Sequence, residues 1–224
     1  MGRKVIITAD GSSSIYVESL DECYHSIHGA IQESEHIFIQ SGLYSDNLKR
    51  MQTVSILEIG FGTGLNALLT YFFANKTGQK IYYLAIEPYP LSTEELKALN
   101  YSDKLSFPQT DEVFQSLHSV EWGRPEELSE HFVITKHKIS ALDMVLPENN
   151  FDLVYFDAFS PEVQPELWSG IVFENIFKSM KHHGVLVTYS TKGDVKRALK
   201  QVGFRIEKLP GPAGKREILR GIKC

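Results

Sequence analysis

The residues whose types and spacing could do chemistry begin at the end of a short apolar run. Glu58 is followed by a G-x-G-x-G run at residues 60–64, and Val54 to Ile59 is apolar and partly β-branched. Such a run predicts a buried strand that ends in a tight turn. Leu65 to Phe73 consists mostly of apolar helix formers, so we expect the turn to open a helix.

This glycine run predicts a ligand site at the turn. Glycines let the backbone approach a ligand closely, and the free N–H groups at the start of the helix point to the same place. The spacing differs from the G-x-G-x-x-G that binds a dinucleotide pyrophosphate, and an acid before the run suits a cationic ligand better than a phosphate. S-adenosylmethionine carries an ammonium and a sulfonium but no phosphate, so it fits the pattern. The alternative interpretation is a plain strand–helix turn.

Two more acids follow predicted strands. Glu87 comes after Ile81 to Ile86, where an acid is placed to bind the two hydroxyls of a ribose, although a solvent-facing carboxylate is the alternative. Asp157 comes after the strongly apolar run Phe151 to Phe156. Because ligands of open parallel sheets lie beyond the carboxyl ends of the strands, we expect Gly60, Glu87 and Asp157 to converge there.

The elements that position these residues alternate between strand and helix from residue 54 to residue 203. Alternation predicts an α/β fold with a doubly wound, mostly parallel sheet and right-handed crossovers. Two final strands, Phe204 to Leu209 and Glu217 to Lys223, are expected to add an antiparallel strand to one edge. This core is predicted to span residues 51–224, with a helical insert near 100–130. Pro165 to about Met180 is predicted to be one helix.

Residues 1–50 are predicted to form a small N-terminal extension packed on the core. Residues 4–8 and 14–17 alternate as the strands of a β-hairpin, and Ala30 to Gln40 has the pattern of a helix. His25 and His28 lie between them without a cluster of Cys, His or Asp, so we interpret them as loop or surface residues and expect no metal site. Ser92 to Glu95 reads as a capping box for a further helix.

Composition is that of a soluble globular protein. The chain has 224 residues, of which 42% are hydrophobic and 23% charged. No apolar run approaches the roughly 20 residues of a membrane helix, so no membrane partner is expected. The N-terminus lacks the pattern of a signal peptide, and Cys23 and Cys224 are the only cysteines. A reducing, cytoplasmic location is therefore expected. The sequence has no feature that indicates an oligomeric state.

Charge is distributed unevenly along the chain. The formal net charge is −5, yet residues 181–224 hold 11 Lys and Arg against 3 Asp and Glu. A basic end on an acidic body predicts one anion-binding face, as a nucleic-acid partner would need. The alternative is a solvated helix face whose charge has no partner.

Over nearly its whole length, most weakly at residues 100–130, the chain resembles a known family, the methyltransferase half of the bifunctional tRNA 5-methylaminomethyl-2-thiouridine biosynthesis protein MnmC and its stand-alone counterpart MnmD. The D-A-F-S-P, P-x-x-W and K-R-E-x-L-x-G motifs are the most specific part of the resemblance. The matching pieces are Tyr24 to Ser26, Gly29, Glu33, Glu58 to Asn66, Glu87, Pro90, Leu91, Asp157 to Pro161, Pro165, Trp168, Gly184 and Gly214 to Gly221.

The resemblance implies a class I S-adenosylmethionine-dependent enzyme that methylates the exocyclic amine of 5-aminomethyl-2-thiouridine at the tRNA wobble position. It implies that Asp157 is the catalytic acid beside the methyl donor and the acceptor amine. The implied cofactor-binding residues are Glu58, Gly60, Phe61, Gly62, Thr63, Gly64, Glu87, Lys138, Ile139 and Asp157. The implied substrate and RNA contacts are Tyr24, Phe159 and Pro161 around the base, and Lys215 and Arg216 on RNA phosphate.

Two features depart from the family pattern. Lys138 stands where the family usually has an acid that binds the adenine amine, so that contact is expected from the backbone or from another side chain. The chain ends at Cys224 without the flavin-dependent oxidase domain of the bifunctional protein. FAD is therefore not expected, and another enzyme is expected to supply the aminomethyl substrate.

Other functions are compatible with parts of the pattern. A small-molecule amine methyl- or aminopropyltransferase also uses a sulfonium cofactor and an acidic loop, and it would act without RNA. A non-catalytic RNA-binding module would bind tRNA without turnover, which leaves Asp157 and the glycine run without a role. A nicotinamide dehydrogenase is disfavoured by the glycine spacing. Trp168 is interpreted as a core anchor in preference to a base-stacking residue.

Overall fold

Strands from the whole length of the chain form two sheets in the computed structural model, which describes residues 2–224. The strands are β1 (Arg3–Ile7), β2 (Ser13–Val17), β3 (Glu22–Cys23), β4 (Thr53–Ile59), β5 (Lys80–Ile86), β6 (Glu126–Ser129), β7 (Phe132–His137), β8 (Phe151–Phe156), β9 (Met180–Thr188), β10 (Phe204–Pro210) and β11 (Glu217–Lys223). The α-helices are α1 (Ala30–Ser34), α2 (Leu65–Thr77), α3 (Thr93–Lys97), α4 (Tyr101–Lys104), α5 (Thr110–Ser119), α6 (Gly170–Ser179) and α7 (Gly193–Gln201).

The larger sheet has eight strands in the order β10-β11-β9-β8-β4-β5-β7-β6. The five strands β9, β8, β4, β5 and β7 run parallel, which confirms the predicted α/β class with its mostly parallel sheet. Near one edge β11 lies between β9 and β10 and runs antiparallel to both. A short turn joins it to β10, as is usual for an antiparallel pair. At the other edge β6 adds a second antiparallel strand.

The insert near 100–130 contains two helices, α4 and α5, which cover slightly less than half of its residues. The short strand β6 at its end was not predicted. Its four residues, Glu126 to Ser129, are largely exposed and show no apolar alternation, so only the neighbouring β7 specifies their pairing.

Helix α2 packs directly behind the glycine run. It begins after Gly64 and ends before Gly78, and both of these residues have left-handed backbone angles, with φ of 74° and 75°. Most of its side chains are buried, because it lies between the sheet and the other helices of this face. An all-round apolar helix of this kind is held by its surroundings on every side, so its N-terminus is a stable platform at the sheet edge.

The N-terminal segment forms a three-stranded antiparallel sheet, β1-β2-β3, and then a continuous helical stretch. The hairpin was predicted, whereas the third strand has only two residues and was missed. The predicted helix at 30–40 is α1 followed by π-helical turns at Glu35–Leu43. Gly42 of these turns fits against Tyr155 of β8, so the segment is anchored on the central sheet.

The predicted single helix from Pro165 to Met180 is wrong in its continuity. Pro165–Trp168 is a 3₁₀ turn, Ser169 is extended with ψ of 157°, and α6 begins only at Gly170. The break lets the Trp168 ring enter the core, where it packs on Phe156 with 4.8 Å between ring centroids. The interpretation of Trp168 as a core anchor is confirmed. The capping box at Ser92 and Glu95 is present in α3.

No helix within residues 2–224 is long and apolar enough to cross a membrane.

The buried centre of the sheet predicts a large stability effect for Leu153→Ala. Leu153 is fully buried on β8 and pairs with Ile56 on one side and Val185 on the other. We expect the free energy of unfolding to fall by about 2–5 kcal/mol, because the truncation removes apolar contacts and leaves a cavity. Denaturant unfolding followed by circular dichroism measures this value.

The control for Leu153→Ala is Val145→Ala. Val145 is 95% exposed, so the free energy of unfolding is expected to change by no more than about 0.5 kcal/mol. Equal effects of the two substitutions would contradict the central placement of β8.

Candidate active site

A cavity of about 710 Å³ opens at the carboxyl ends of β4, β5 and β8. Gly60, Glu87 and Asp157 all line it, each from the residues that follow one of these strands. The N-terminal segment closes the opposite side, with Tyr24 and Glu33 in the wall. The structure therefore brings together the three positions that the sequence predicted to converge.

The first wall is the glycine loop, whose path depends on Gly60. Gly60 has φ of 92°, and a Cβ atom there would lie 2.4 Å from the backbone oxygen of Asp157. In the same place the Asp157 N–H donates to the Ile59 carbonyl oxygen at 2.9 Å. Gly62 has φ of 51°, and a Cβ atom there would lie 2.9 Å from the Tyr24 ring. Neither position has room for a side chain.

Thr63 holds the loop through three hydrogen bonds. Its hydroxyl oxygen lies 2.7 Å from His25 Nε2 and accepts the Tyr101 hydroxyl proton at 3.1 Å. Its carbonyl oxygen accepts from His118 Nε2 at 3.0 Å. Burial lowers the pKa of both histidines to about 4, so both are neutral at physiological pH. These bonds tie the loop to the N-terminal segment and to the insert.

His25 was expected to be a loop or surface residue, and it is a loop residue that does not lie on the surface. It lies in a loop but is buried, because the N-terminal segment folds over the glycine loop. His118 was not identified from the sequence. The sequence around His118 indicates nothing more than a position in a helix, α5. Its partner Thr63 is 55 residues away along the chain.

Glu87 connects the glycine loop to the end of β5. Its Oε2 accepts from the Gly62 N–H at 3.0 Å, and its Oε1 accepts from the Tyr89 N–H at 2.7 Å. The carboxyl group is buried, which raises its pKa, while these two bonds and Arg3 act in the opposite direction. Each oxygen keeps a further lone pair with which to accept a hydrogen bond from a ligand.

Asn66 links two carboxyl groups behind the cavity. Its Nδ2 donates to Glu58 Oε1 at 3.0 Å and to Asp157 Oδ2 at 2.8 Å. Glu58 is fully buried and does not line the cavity, and burial raises its pKa well above the ordinary value. Asn66 does line the cavity. It was not predicted as a site residue, because an asparagine in the first turn of a helix has many structural uses.

Asp157 lies where the carboxyl end of β8, α2 and the N-terminal segment meet. Burial raises its pKa to about 7, and the nearby Glu33 carboxylate acts in the same direction. The hydrogen bond from Asn66 and the charge of Lys215 act against them. A carboxyl group with such a pKa can gain or lose a proton near neutral pH, as a general base requires.

An aromatic wall lies beside Asp157. The rings of Tyr24 and Phe159 meet edge to face with 5.1 Å between centroids, and both line the cavity. Trp168 Nε1 donates to the Phe159 carbonyl oxygen at 2.8 Å and so holds the loop after β8 in place. Glu22 accepts from the Ser160 N–H at 3.2 Å, which connects β3 to the same loop.

Several residues implied by the family resemblance lie off the cavity surface. Lys138 and Ile139 follow β7, but the residues there that line the cavity are Ser140 to Leu142. Pro161 also lies outside the lining. Gly64 lies behind it as the residue that opens α2. Phe61 and Thr63 do line the cavity from the glycine loop.

The two neighbouring cations Lys215 and Arg216 are in different environments. Lys215 lines the cavity, with its Nζ 3.4 Å from Glu33 Oε1 and 4.5 Å from the centroid of the Tyr189 ring. Arg216 is exposed and does not line the cavity. The sequence motif gave both residues the same expected role, and the fold separates them.

Much of the basic excess at the C-terminal end is neutralised by carboxylates. The ion-paired basic residues after position 180 are Lys181, Lys192, Arg197, Arg205, Lys208, Lys215 and Arg220.

Within residues 2–224 no group of three or more His, Cys, Asp or Glu side chains could hold a metal ion.

Comparison with solved structures identifies proteins of the same fold. The crystal structure titled MNMC2 from Aquifex aeolicus superposes with a TM-score of 0.82 over 98% of this chain and 69% of that one, at 24% identity. Spermidine synthase from Thermotoga maritima has a TM-score of 0.54 over 95% of this chain and 69% of its own, at 14% identity. At these identities the likeness shows the fold alone.

Sequence comparison finds relatives that are much longer. The bifunctional protein MnmC of Burkholderia thailandensis, named for tRNA 5-methylaminomethyl-2-thiouridine biosynthesis, is 31% identical over 210 residues. The protein of the same name from Paraburkholderia xenovorans is 27% identical over 217 residues. The alignments cover 89% and 90% of this chain but 32% of each relative, so the chain spans about a third of their length.

A family model matches the part of the chain that holds α5, the Asp157 loop and the Lys215 loop. It is described as S-adenosyl-L-methionine-dependent methyltransferase, and it covers residues 109–224, which is just over half of the chain. The fold and the cavity at the carboxyl ends of the parallel strands agree with this match. The protein therefore belongs to the S-adenosyl-L-methionine-dependent methyltransferase family.

Proposed function

We propose that this chain transfers a methyl group from S-adenosylmethionine to the exocyclic amine of 5-aminomethyl-2-thiouridine, at the wobble position of the tRNA anticodon. The observation that carries the proposal is the Asp157 carboxyl group, which lies on the cavity between the glycine loop and the Tyr24–Phe159 wall. The names of the relatives, which refer to tRNA 5-methylaminomethyl-2-thiouridine, support this substrate. The proposal places the enzyme in the cytoplasm and requires neither FAD nor a metal ion.

The residues of the cavity fit S-adenosylmethionine. Gly60 and Gly62 line the cavity with bare backbone that a ligand can approach closely, and the cavity volume of about 710 Å³ leaves room for an acceptor base beside a cofactor. Glu87 would accept from the ribose hydroxyls with its remaining lone pairs. Because Lys138 lies off the cavity, the adenine contact is assigned to the Ser140–Leu142 segment. When bound, the cofactor supplies an electrophilic methyl group on a sulfonium.

Asp157 would prepare the acceptor amine. A nucleophilic nitrogen must present a lone pair, so an ammonium has to lose a proton first. A carboxylate at this position orients the amine and takes that proton. It also stabilises the positive charge that develops on the nitrogen during transfer. Tyr24 and Phe159 would hold the uracil ring between the cavity mouth and Asp157.

Methyl transfer to tRNA from a strain that lacks the wobble methyl group tests the proposal. The tRNA is incubated with labelled S-adenosylmethionine and the purified chain, and its nucleosides are then analysed. We expect the label in 5-methylaminomethyl-2-thiouridine. Label in added polyamines or other small amines, with none in tRNA, would overturn the proposal and favour a small-molecule amine transferase.

Substitution of Asp157 by Asn or Ala is expected to impair turnover much more than cofactor binding. Loss of a general base lowers kcat by about 100-fold to 10,000-fold, whereas the cofactor Kd is expected to stay within about 3-fold because other groups bind the cofactor. Single-turnover assays and isothermal titration measure the two quantities. Equal losses in both would remove Asp157 from the chemistry.

The raised pKa of Asp157 also predicts the pH dependence of the wild-type enzyme. Burial holds this pKa at about 7, and the acidic form cannot accept a proton from the acceptor. The methylation rate is therefore expected to fall as pH is lowered through about 7, and to level off above it. A rate that stays constant from pH 6 to pH 8 in a steady-state profile would contradict this assignment.

Gly60→Ala is expected to weaken cofactor binding. The added Cβ would meet the Asp157 carbonyl oxygen, and φ of 92° is unfavourable for alanine. A displacement that costs about 1.4 kcal/mol raises the Kd for S-adenosylmethionine tenfold, as measured by isothermal titration. Gly170→Ala is the control, because a Cβ atom there has open space at the start of α6. Unchanged affinity in Gly60→Ala would exclude this loop from the cofactor site.

A further inference from the structure

Lys215 is a cation inside the cavity wall, although the sequence motif suggests a contact on the RNA backbone. Its Nζ lies 4.5 Å from the centroid of the Tyr189 ring. The Tyr189 hydroxyl in turn donates to the carbonyl oxygen of Ala158 at 2.9 Å, directly beside Asp157. Lys215 and Asp157 therefore face the same part of the cavity.

The fold holds Lys215 in this position. The turn between β10 and β11 is closed by bonds from the Lys215 N–H to the Pro212 oxygen and from the Gly211 N–H to the Arg216 oxygen. Glu33 Oε1 lies 3.4 Å from Lys215 Nζ, while Glu33 Oε2 accepts from the Ser26 N–H at 2.7 Å. Because Glu33 is buried and anchored, it fixes the ammonium that pairs with it.

The charged groups around this part of the cavity have opposing effects. Lys215 provides a positive charge, and Glu33 and Asp157 provide negative charges from α1 and from the loop after β8. Glu22 of β3 faces Tyr189, and Glu58 lies behind Asn66, where burial raises its pKa. A positive charge within a few ångströms of an amine favours its uncharged form, and a negative charge favours the ammonium.

From this arrangement we infer that Lys215 is an electrostatic positioning residue that favours the uncharged form of the acceptor amine beside Asp157, with Glu33 setting the strength of its effect. The inference rests on the proposed function and adds the device that makes the amine nucleophilic. Before transfer, the acceptor ammonium gives one proton to Asp157. The nitrogen lone pair then forms the N–C bond as the C–S bond breaks, and the secondary ammonium that results is repelled by the same lysine.

Charge variants at Lys215 and Glu33 test the inference through the pH profile. Lys215→Met removes the positive charge, so Asp157 and the acceptor amine keep their protons to higher pH. We expect the midpoint of the acidic limb of kcat to rise by about 1 pH unit. Glu33→Gln removes a negative charge and keeps an acceptor for Ser26, so the midpoint is expected to fall. Lys215→Arg keeps the positive charge, so its midpoint is expected to stay at the wild-type value.

Arg216 is the matched comparison, because it is the next residue and lies outside the cavity. Arg216→Met is expected to weaken tRNA binding and to reduce the slope of log Kd against log salt by about 1, with no shift in the pH midpoint at saturating tRNA. Lys215→Met is expected to show the reverse, a shifted midpoint with an unchanged salt slope. A reduced salt slope in Lys215→Met with an unshifted midpoint would make Lys215 a phosphate contact and overturn the inference.

A second readout is independent of turnover. Carboxyl ¹³C NMR of the protein follows the titration of Asp157 in the wild type and in Lys215→Met, with Asp157→Asn identifying the signal. We expect the Asp157 midpoint to rise in Lys215→Met, and thermal unfolding of this variant checks that the fold is kept. If the wild type methylates tRNA and neither midpoint moves, the inference alone fails. If the wild type transfers no methyl group to tRNA, the proposed function fails, and the inference fails with it.

Discussion

The site depends on the close approach of two backbone segments at the carboxyl ends of β4 and β8. β4 and β8 are parallel neighbours, and the residues that follow them meet where the Asp157 N–H bonds the Ile59 oxygen. Gly60 is required there because a side chain would overlap the Asp157 carbonyl. A single contact therefore sets both the path of the glycine loop and the position of the carboxyl group. Any displacement of one strand end moves the glycine loop and the Asp157 carboxyl group together.

The N-terminal segment is part of the site, because it forms one wall of the cavity. Tyr24 covers Gly62, His25 bonds Thr63, and Glu22 bonds the loop after β8. Each of these contacts joins residues far apart in the chain. Residues 2–50 thereby enclose a cavity that the parallel sheet alone would leave open, and they raise the cost of charge inside it. For this reason burial is the largest of the effects on the pKa of Asp157.

The ion pairs of the C-terminal region differ in how far their side chains are exposed to solvent. Glu33 and Lys215 balance one another inside the cavity, and Arg220 and Glu207 form a second, partly buried pair. The pairs of Arg197 and Lys208 are more exposed. Surface pairs of this kind add little to stability and are screened by salt. The pair inside the cavity is less screened, so its effect on neighbouring protons is larger. A count of charges along the chain does not distinguish these two situations.

The sequence by itself determined the fold class and the three positions that converge at the sheet edge. Apolar strands that are directly followed by Gly60, Glu87 and Asp157 are local patterns, and the period of a buried strand is independent of its partners. The resemblance of short motifs to those of a methyltransferase family added the expectation of methyl transfer. The break before α6 was not determined locally, because Pro165 to Met180 is compatible with one continuous helix and only the burial of Trp168 interrupts it.

Tertiary structure alone decided which side chains share an environment. Lys215 and Arg216 are adjacent in the chain, yet one faces Glu33 and Tyr189 and the other faces solvent. His25, His118 and Asn66 gained partners that lie 38, 55 and 91 residues away. Burial and charge depend on distance in space, and sequence patterns report only distance along the chain. The protonation of Asp157, and with it the chemistry of the cavity, is therefore a property of the folded chain.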